Sequence, residues 1–536
     1  MTGQEQRPDG TRQQTAGADE RRPAPPGAVA ALQQALLPPA LPVLPRAWIA
    51  ARYLAAGQEQ AAGGDWFDAV PLANGTVALM VGDVVGHGIA ASAAMGQLRS
   101  VLNELLAAEP NLRTVLTRAE AFAAERPALR AATVALAVLD PADGTLRYTP
   151  CGHPPPLIIS TGGTSRYLPG TRTGPLGTGS APDLATATLQ PGELVLLYSD
   201  GLIKRPNGTV AEGMAELAKI AADAAAGPAL ATGAGPTAAD RVCQLTVELL
   251  ARAGYADDVT TLAAQRLAEP IPPLHLELPG ELTSVTTARH AFGAWLDQID
   301  AATEDRGDLE LAVAEIVTNA IEHAYLPDRP GLVELRAALC EDGNLECQVT
   351  DHGSWRRPDP SATGRGHGLM VAGQVVDELR VRHPPQASTP HGAGGTVVTL
   401  RHRLRRPAVM GTGPSARAGV PHPGPPFTVD LATDDPVAHV RAAGPVDVST
   451  AVQLSRRLLA ASAGGTLPLT VDLTHVSYLA SAGIRALYQV RQQLSAHRQN
   501  LRLLAVPGSS VALILDQAHL PHLGPIAQKR GDGGAH

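Results

Sequence analysis

The spacing of apolar and polar positions divides the chain into three successive regimes. Between Trp48 and about Leu267, apolar runs of strand length dominate: "TVALMVGDV", "ATVALAVLD", "LRYTP" and "LVLLYSD". The turn sequence "PADG" predicts a hairpin between the middle two. From about 274 to 405 a helical period appears, with Leu309, Val313, Ile316, Val317, Ala320 and Ala324 on one face. Strand-like "LVELRAAL" and "LECQVTD" follow, then a Gly-rich stretch and a last strand in "GTVVTLRHRL". From about 427 to 528 strands and helices alternate, including "LPLTVDLT" before "SAGIRALYQVRQQL", the pattern of a small α/β layer domain.

The intervening segments predict the boundaries. Residues 1–26 are polar and rich in Gln, Arg, Pro and Gly, and are expected to be disordered. "AVAALQQALLPP" (28–39) predicts a short amphipathic helix stopped by prolines, within a connecting segment 27–45. "EPIPP" (269–273) marks a break, and 406–426 reads as a Pro/Gly/Arg linker without periodicity. The expected domains are therefore 46–268, 272–405 and 427–528, and no repeat of fixed period is visible. The fold class is multidomain α/β and α+β.

Composition narrows the function classes. A chain of 536 residues exceeds what one core supports. Its net charge of −8 provides no broad positive field, which argues against direct binding of nucleic acid. Cys151, Cys243, Cys340 and Cys347 are scattered, with neither metal spacing nor a disulfide framework. "MTGQEQRPDG" lacks the features of a secretory leader, and no apolar run approaches the ~18 residues of a membrane helix. A soluble, cytoplasmic protein without a membrane partner is expected.

The first block places aspartates at strand ends: Asp65 in "GGDWFD", Asp83 in "GDVVGHG", Asp200 in "YSDG", and Asp257 with Asp258 in "ADDVTTL". Taken singly, these are turns and loops. Together they form an oxygen-only ligand set that suits hard cations such as magnesium or manganese. Two such ions about 3.5–4 Å apart can hold a hydroxide for in-line attack on phosphorus. With "LQQALLPP", "CGHPPPL" and "YSDGL", these motifs resemble the metal-dependent 2C-type protein phosphatases in their bacterial SpoIIE-like branch. The resemblance implies a β-sandwich flanked by helices and two Mn2+ or Mg2+ ions. It implies ligands at Asp65, Asp83, Asp200, Asp257 and the backbone carbonyl of Val84, with Asp258 beside them. Cys151 lacks the following arginine of a cysteine phosphatase loop, and His153 reads as structural.

In the second block "ELAVAEIVTNAIEHAY" sets Glu315, Asn319 and His323 at successive i, i+4 steps on one helix face. "VTDHGSW" puts Asp351 and Gly353 at a strand end, and "GRGHGLM" is a glycine loop opening a helix, suited to phosphate. "GGT" (394–396) completes the series. The block resembles GHKL ATPases, specifically the anti-sigma-factor serine kinases. The resemblance implies Mg2+ and ATP, with Asn319 on the metal and Glu315 as general base for the attacking hydroxyl. It implies further ATP contacts at His323, Asp351, Gly353, Gly364, Arg365, Gly366, Gly368 and Thr396. A sensor histidine kinase shares this fold but needs a dimerising hairpin with a phosphoacceptor His upstream, and 274–305 is too short for one.

In the third block, "VDLTHVSYLASAGIRAL" and "AAGPVDVSTA" resemble the STAS domain of anti-sigma-factor antagonists. Ser481 is then the phosphoacceptor by position, although Ala480 and Ala482 replace the acidic and hydroxyl neighbours common there. Read alone, Ser481 is an N-cap. Jointly the three resemblances imply a bifunctional kinase and phosphatase acting in partner switching. The implied partners are STAS-domain antagonists and a client sigma factor, and a homodimer is left open. The alternative is a scaffold that sequesters partners, with only the phosphatase active.

Overall fold

The computed structural model describes residues 35–38, 40–55, 64–86, 88–204, 209–227, 236–251, 258–325, 331–353, 368–383, 395–411, 427–432, 438–446, 450–479, 481–507, 509, 511–512, 515 and 520–524. The first block carries β1 (Ala40–Pro42), β2 (Ala47–Leu54), β3 (Trp66–Pro71), β4 (Val77–Asp83), β5 (Thr133–Leu139) and β6 (Thr145–Cys151). It continues with β7 (Leu157–Ile159), β8 (Ser165–Tyr167), β9 (Ala185–Thr188), β10 (Leu194–Tyr198) and β11 (Val259–Arg266). Strands β3–β4–β5–β6–β9 form one antiparallel sheet. A second sheet, containing β2–β11–β10–β7–β8, packs across it.

The two-residue period of a strand explains which side chains meet. Ile49, Ala51 and Tyr53 enter the core between the sheets. Ala50 and Leu54 face the other way, toward helices Val210–Ala226 and Ala238–Ala251. Val77–Val81 is an unbroken apolar run because it is covered on both faces, with helices Ile89–Ala108 and Leu112–Ala124 contributing to its core. The "PADG" segment joins β5 to β6, with Leu139 opposite Leu146.

The second block contains β12 (Leu274–Pro279), β13 (Leu332–Leu339), β14 (Asn344–Asp351), β15 (Glu378–Arg382) and β16 (Val397–Arg403). These form an antiparallel sheet in the order β12–β13–β14–β16–β15. Helices Thr283–Gln298 and Thr303–Ala324 lie against one face. Leu309, Val313, Ile316 and Val317 fill that layer, and Ala320 sits at its edge.

Two features depart from the expected boundaries. Segment 406–426, expected as linker, begins with structure: β17 (Arg405–Pro407) pairs with β1, and β18 (Val409–Gly411) adds to β2 in parallel. In segment 27–45, Leu37, Leu41, Val43 and Leu44 are buried rather than spanning solvent. The returning chain satisfies backbone groups along two strand edges, β18 on β2 and β17 on β1, while the apolar side chains of 37–44 enter the cores. The part of the 28–39 helix before residue 35 lies outside the described residues.

Arg406 fastens this junction. It is 7% exposed, and its Nη1 donates to Ile49 O at 3.0 Å, its Nη2 to Asp240 at 2.7 Å and its Nε to Asp300 at 2.8 Å. Its guanidinium lies 4.3 Å from the centre of the Trp48 ring.

The last block comprises β19 (Thr428–Ala432), β20 (Ala438–Val446), β21 (Leu469–Leu479), β22 (Leu501–Leu504) and β23 (His522–Leu523), forming one sheet in that order. Helices Ala451–Ala461 and Ser481–Ala496 complete it. Its core is not closed by its own residues alone: Leu311 and Val371 of the second block belong to the same buried cluster. Among the described residues, no helix is long and apolar enough to cross a membrane.

Candidate functional site

The metal-type acids gather at one end of the β-sandwich. Asp65 immediately precedes β3 and Asp83 closes β4, while Trp66 opposite Gly82 keeps those ends together. Asp200 opens the short turn Asp200–Leu202 after β10, and Asp258 directly precedes β11. Asp257 lies outside the described residues.

The approach at Asp65 is close. The Val84 N–H donates to Gly64 O at 3.2 Å. A Cβ on Gly64 would stand 2.0 Å from the Val84 carbonyl oxygen and 2.8 Å from Asp83 Oδ1, so only glycine fits. The Val84 carbonyl and the Asp83 carboxylate therefore border the same few ångströms as Asp65.

Electrostatics describes a site that wants positive charge. Asp65 is buried, and its carboxyl is pushed well above the ordinary range by burial first, then by the charges of Asp83 and Asp258. Crowded carboxylates of this kind are stable as anions only beside cations. Asp200 already has one such neighbour, Lys204 Nζ at 2.5 Å. Oxygen donors alone, with Asp83 and the Val84 carbonyl close to Gly64 beside Asp65, are of the kind that suits hard divalent ions.

Hydroxyl groups that the motif reading passed over hold these acids. Thr260 Oγ1 donates to Asp65 Oδ2 at 3.0 Å, and the Tyr53 hydroxyl donates to Asp258 Oδ2. Ser199 Oγ donates to Asp258 O at 3.3 Å and accepts from Thr260 N at 2.9 Å. Ser199 and Thr260 stand inside the quoted motifs and were legible there. Tyr53 gave no sequence signal, because it sits on a strand about two hundred residues away.

His153 takes the structural role expected of it. Thr133 Oγ1 lies 2.9 Å from Nδ1 and Tyr198 O 3.1 Å from Nε2. Burial pulls its pKa down to about 4, so the ring is neutral near pH 7. Burial pushes the Cys151 thiol up to about 12, which removes the thiolate a cysteine phosphatase requires.

The nucleotide-type residues gather at the end of the Thr303–Ala324 helix. Glu315 is 5% exposed, while Asn319 and His323 are half-buried one and two turns further on. Helix Gly368–Val375 starts beside Glu315, with a Cβ on Gly368 falling 2.6 Å from Glu315 Oε2. Asp351 is buried, which raises its pKa, and its Oδ1 accepts from Gly353 N at 3.0 Å and Thr396 N at 3.2 Å. Gly353 is pressed against the helix end, since a Cβ there would meet Ala324 O at 2.2 Å. Tyr325 ties the corner by accepting from His352 N at 2.8 Å and donating to Leu332 O at 2.6 Å. Gly364, Arg365 and Gly366 lie outside the described residues.

In the third block, helix Ser481–Ala496 begins at Ser481, two residues past the end of β21. Strand β21 packs on the Thr303–Ala324 helix, where Leu311 lies one turn before Glu315.

Comparison with known proteins agrees with this division. Residues 73–267 match the family described as stage II sporulation protein E, residues 278–402 the histidine kinase-like ATPase domain, and residues 428–533 the STAS domain. The crystal structure of the RsbU and RsbW domains of Rv1364c from Mycobacterium tuberculosis is 39% identical, with a TM-score of 0.62. That match covers 70% of this chain and 98% of the other. An anti-sigma F factor of Clostridium perfringens (strain SM101 / Type A) is 35% identical over 119 residues, 20% of this chain and 84% of its own length. One from Heyndrickxia coagulans is 25% identical over 142 residues, 24% of this chain and 92% of its own.

Proposed function

We propose a function from one premise: the chain belongs to the family in which a SpoIIE-type phosphatase is fused to a histidine kinase-like ATPase domain, here followed by a STAS domain. It is a bifunctional partner-switching regulator of sigma-factor activity. The phosphatase removes phosphate from a serine of STAS-domain antagonists, and the ATPase domain places phosphate there. Both act in the cytoplasm on protein partners.

The observation that carries the phosphatase half is the convergence of Asp65, Asp83 and the Val84 carbonyl around Gly64. Asp65, Asp83, Asp200, Asp257 and the Val84 carbonyl would hold two Mn2+ or Mg2+ ions. Such ions, when bound, supply a hydroxide at neutral pH and neutralise the phosphoryl oxygens. The chain's own task is to keep its carboxylates ionised and spaced. Thr260 fixes Asp65 by its hydroxyl, and Gly64 lets the Val84 carbonyl come close.

In the kinase half, Glu315 accepts the proton of the attacking serine, and its burial beside Gly368 favours that role. Asn319 would hold a magnesium ion for the nucleotide. Asp351 receives the adenine amino group, oriented by the backbone N–H groups of Gly353 and Thr396. His323, Gly364, Arg365, Gly366 and Gly368 complete the nucleotide site, and Ser481 is the phosphoacceptor of the third block.

A scaffold reading draws on one observation, the seating of Leu311 and Val371 in the STAS core. One experiment separates the two. The chain is incubated with ATP, a separate STAS protein and manganese, and phosphoserine is followed by mass spectrometry. The enzyme reading expects phosphate to appear with ATP and to accumulate further in Asp83→Asn. Absence of transfer, with partner binding and removal of phosphate from a pre-phosphorylated STAS protein both intact, leaves the scaffold in which only the phosphatase is active.

A further inference from the structure

The acid beside the metal centre that no motif role explains is Asp258. It is buried, close enough for its charge to act on Asp65, and it directly precedes β11. Two groups fix it. Ser199 Oγ holds its backbone carbonyl, and the Tyr53 hydroxyl holds its carboxylate oxygen Oδ2.

Sheet register makes this arrangement specific. Tyr53 on β2 lies directly opposite Thr260 on β11, so both side chains project to the same face of the sheet. That face is the interior between the two sheets. One hydroxyl of the cross-strand pair reaches Asp258 and the other reaches Asp65. A single pair therefore sets two neighbouring carboxylates.

We propose that Tyr53 is a positioning residue of the metal centre: its hydroxyl holds the Asp258 carboxylate beside Asp65, where the negative charge raises affinity for divalent cations. This rests on the phosphatase reading. Without the hydroxyl, Asp258 loses the bond that aims its carboxylate, and the group turns from its place beside Asp65. That moves negative charge away from the cation site. Loss of such a supporting hydrogen bond lowers metal affinity by about 10- to 100-fold in other proteins.

The test uses the full chain and manganese alone, with binding read by electron paramagnetic resonance or calorimetry. Tyr53→Phe is expected to weaken Mn2+ binding at least about tenfold. It should raise the manganese needed for half-maximal phosphatase activity by the same factor. The kcat at saturating manganese should stay within about threefold, a split that a general loss of folding would not produce. Asp258→Asn, which still accepts from the hydroxyl, should weaken binding similarly. Adding Tyr53→Phe to it should change little, because Tyr53 acts through Asp258. Unchanged Mn2+ affinity in Tyr53→Phe, or additive effects of the two substitutions, overturns the assignment of Tyr53. Absence of Mn2+ binding by the parent chain overturns the phosphatase reading instead.

Discussion

Replacing Arg406 by alanine tests whether the phosphatase and ATPase modules are held as one body. The loss can be worked contact by contact. Ile49 O is buried and loses a charged donor at 3.0 Å, about 1.5–3 kcal/mol. Asp240 loses one donor but keeps Trp48 Nε1 at 3.3 Å, Thr237 N at 3.0 Å and the Thr237 hydroxyl, so its penalty is small. The Asp300 carboxylate is 43% exposed, which limits that pair to about 0.2–1 kcal/mol. Stacking on Trp48 adds roughly 1 kcal/mol. Because the contacts share one side chain, about 3 kcal/mol is the expected net, at the low edge of the ~3–5 kcal/mol for breaking a buried pair.

If that energy holds the junction, local opening should become about a hundredfold more frequent. Hydrogen exchange of the Val409–Gly411 amides, followed by mass spectrometry on the full chain, reads this directly. Arg406→Lys keeps the charge but not the planar fork, and should fall between parent and alanine. Parent-like exchange of those amides in Arg406→Ala would show that β18 holds without the arginine and refute the reasoning.

Four other outcomes are expected. Asp83→Asn should lower phosphatase turnover by at least about a hundredfold, with excess chelator abolishing activity of the parent, both read on a phosphorylated STAS protein. Glu315→Gln should bind ATP within a fewfold of the parent yet transfer phosphate at least about a hundredfold more slowly, as shown by nucleotide titration beside single-turnover kinetics. Burial, aided by Asp305 and Glu304 and opposed by His402, raises the Asp308 pKa from 3.8 to about 6. Its favourable state is therefore the neutral one: stability is fully present below the unfolded value and is lost as pH rises through about 6. Asp308→Asn should then stabilise the ATPase domain by about 1–2 kcal/mol at pH 7.5, discounted for partial exposure, and by little toward pH 4, as seen in melting curves. Leu311→Asp should free β21 from the Thr303–Ala324 helix, raising exchange in β21 while leaving that of β4 unchanged.

What was legible in the sequence followed from local periodicity. The period of Leu309, Val313, Ile316 and Val317 gave the helix and its buried face, because burial against one sheet imposes that spacing. The turn chemistry of "PADG" gave the β5–β6 hairpin in the same way. Asp65 and Asp83 stood out because turn glycines and apolar runs flank them, whereas Val84 came only with the family resemblance. The junction at 405–411 was not legible. Its prolines and arginines have the composition of a linker, and the partners that make it strand and bury Arg406 lie at Ala40–Pro42, Trp48–Leu54, Asp240 and Asp300. Strand propensity depends on such distant neighbours. Tyr53 was hidden for the same reason, since its role comes from register with β11.

Under the proposed partner switching, the seating of Leu311 and Val371 in the STAS core would make the ATPase surface a competitive binding site with a resident. A module on the same polypeptide presents an effective concentration on the order of millimolar when its tether is short. A second STAS protein at about 1 μM and equal affinity would then win roughly one encounter in a thousand. To take over half the surface it must bind about a thousandfold more tightly, some 4 kcal/mol, or the resident must lose that much. Such a surface ignores small changes in antagonist abundance and answers only to a change in the resident itself.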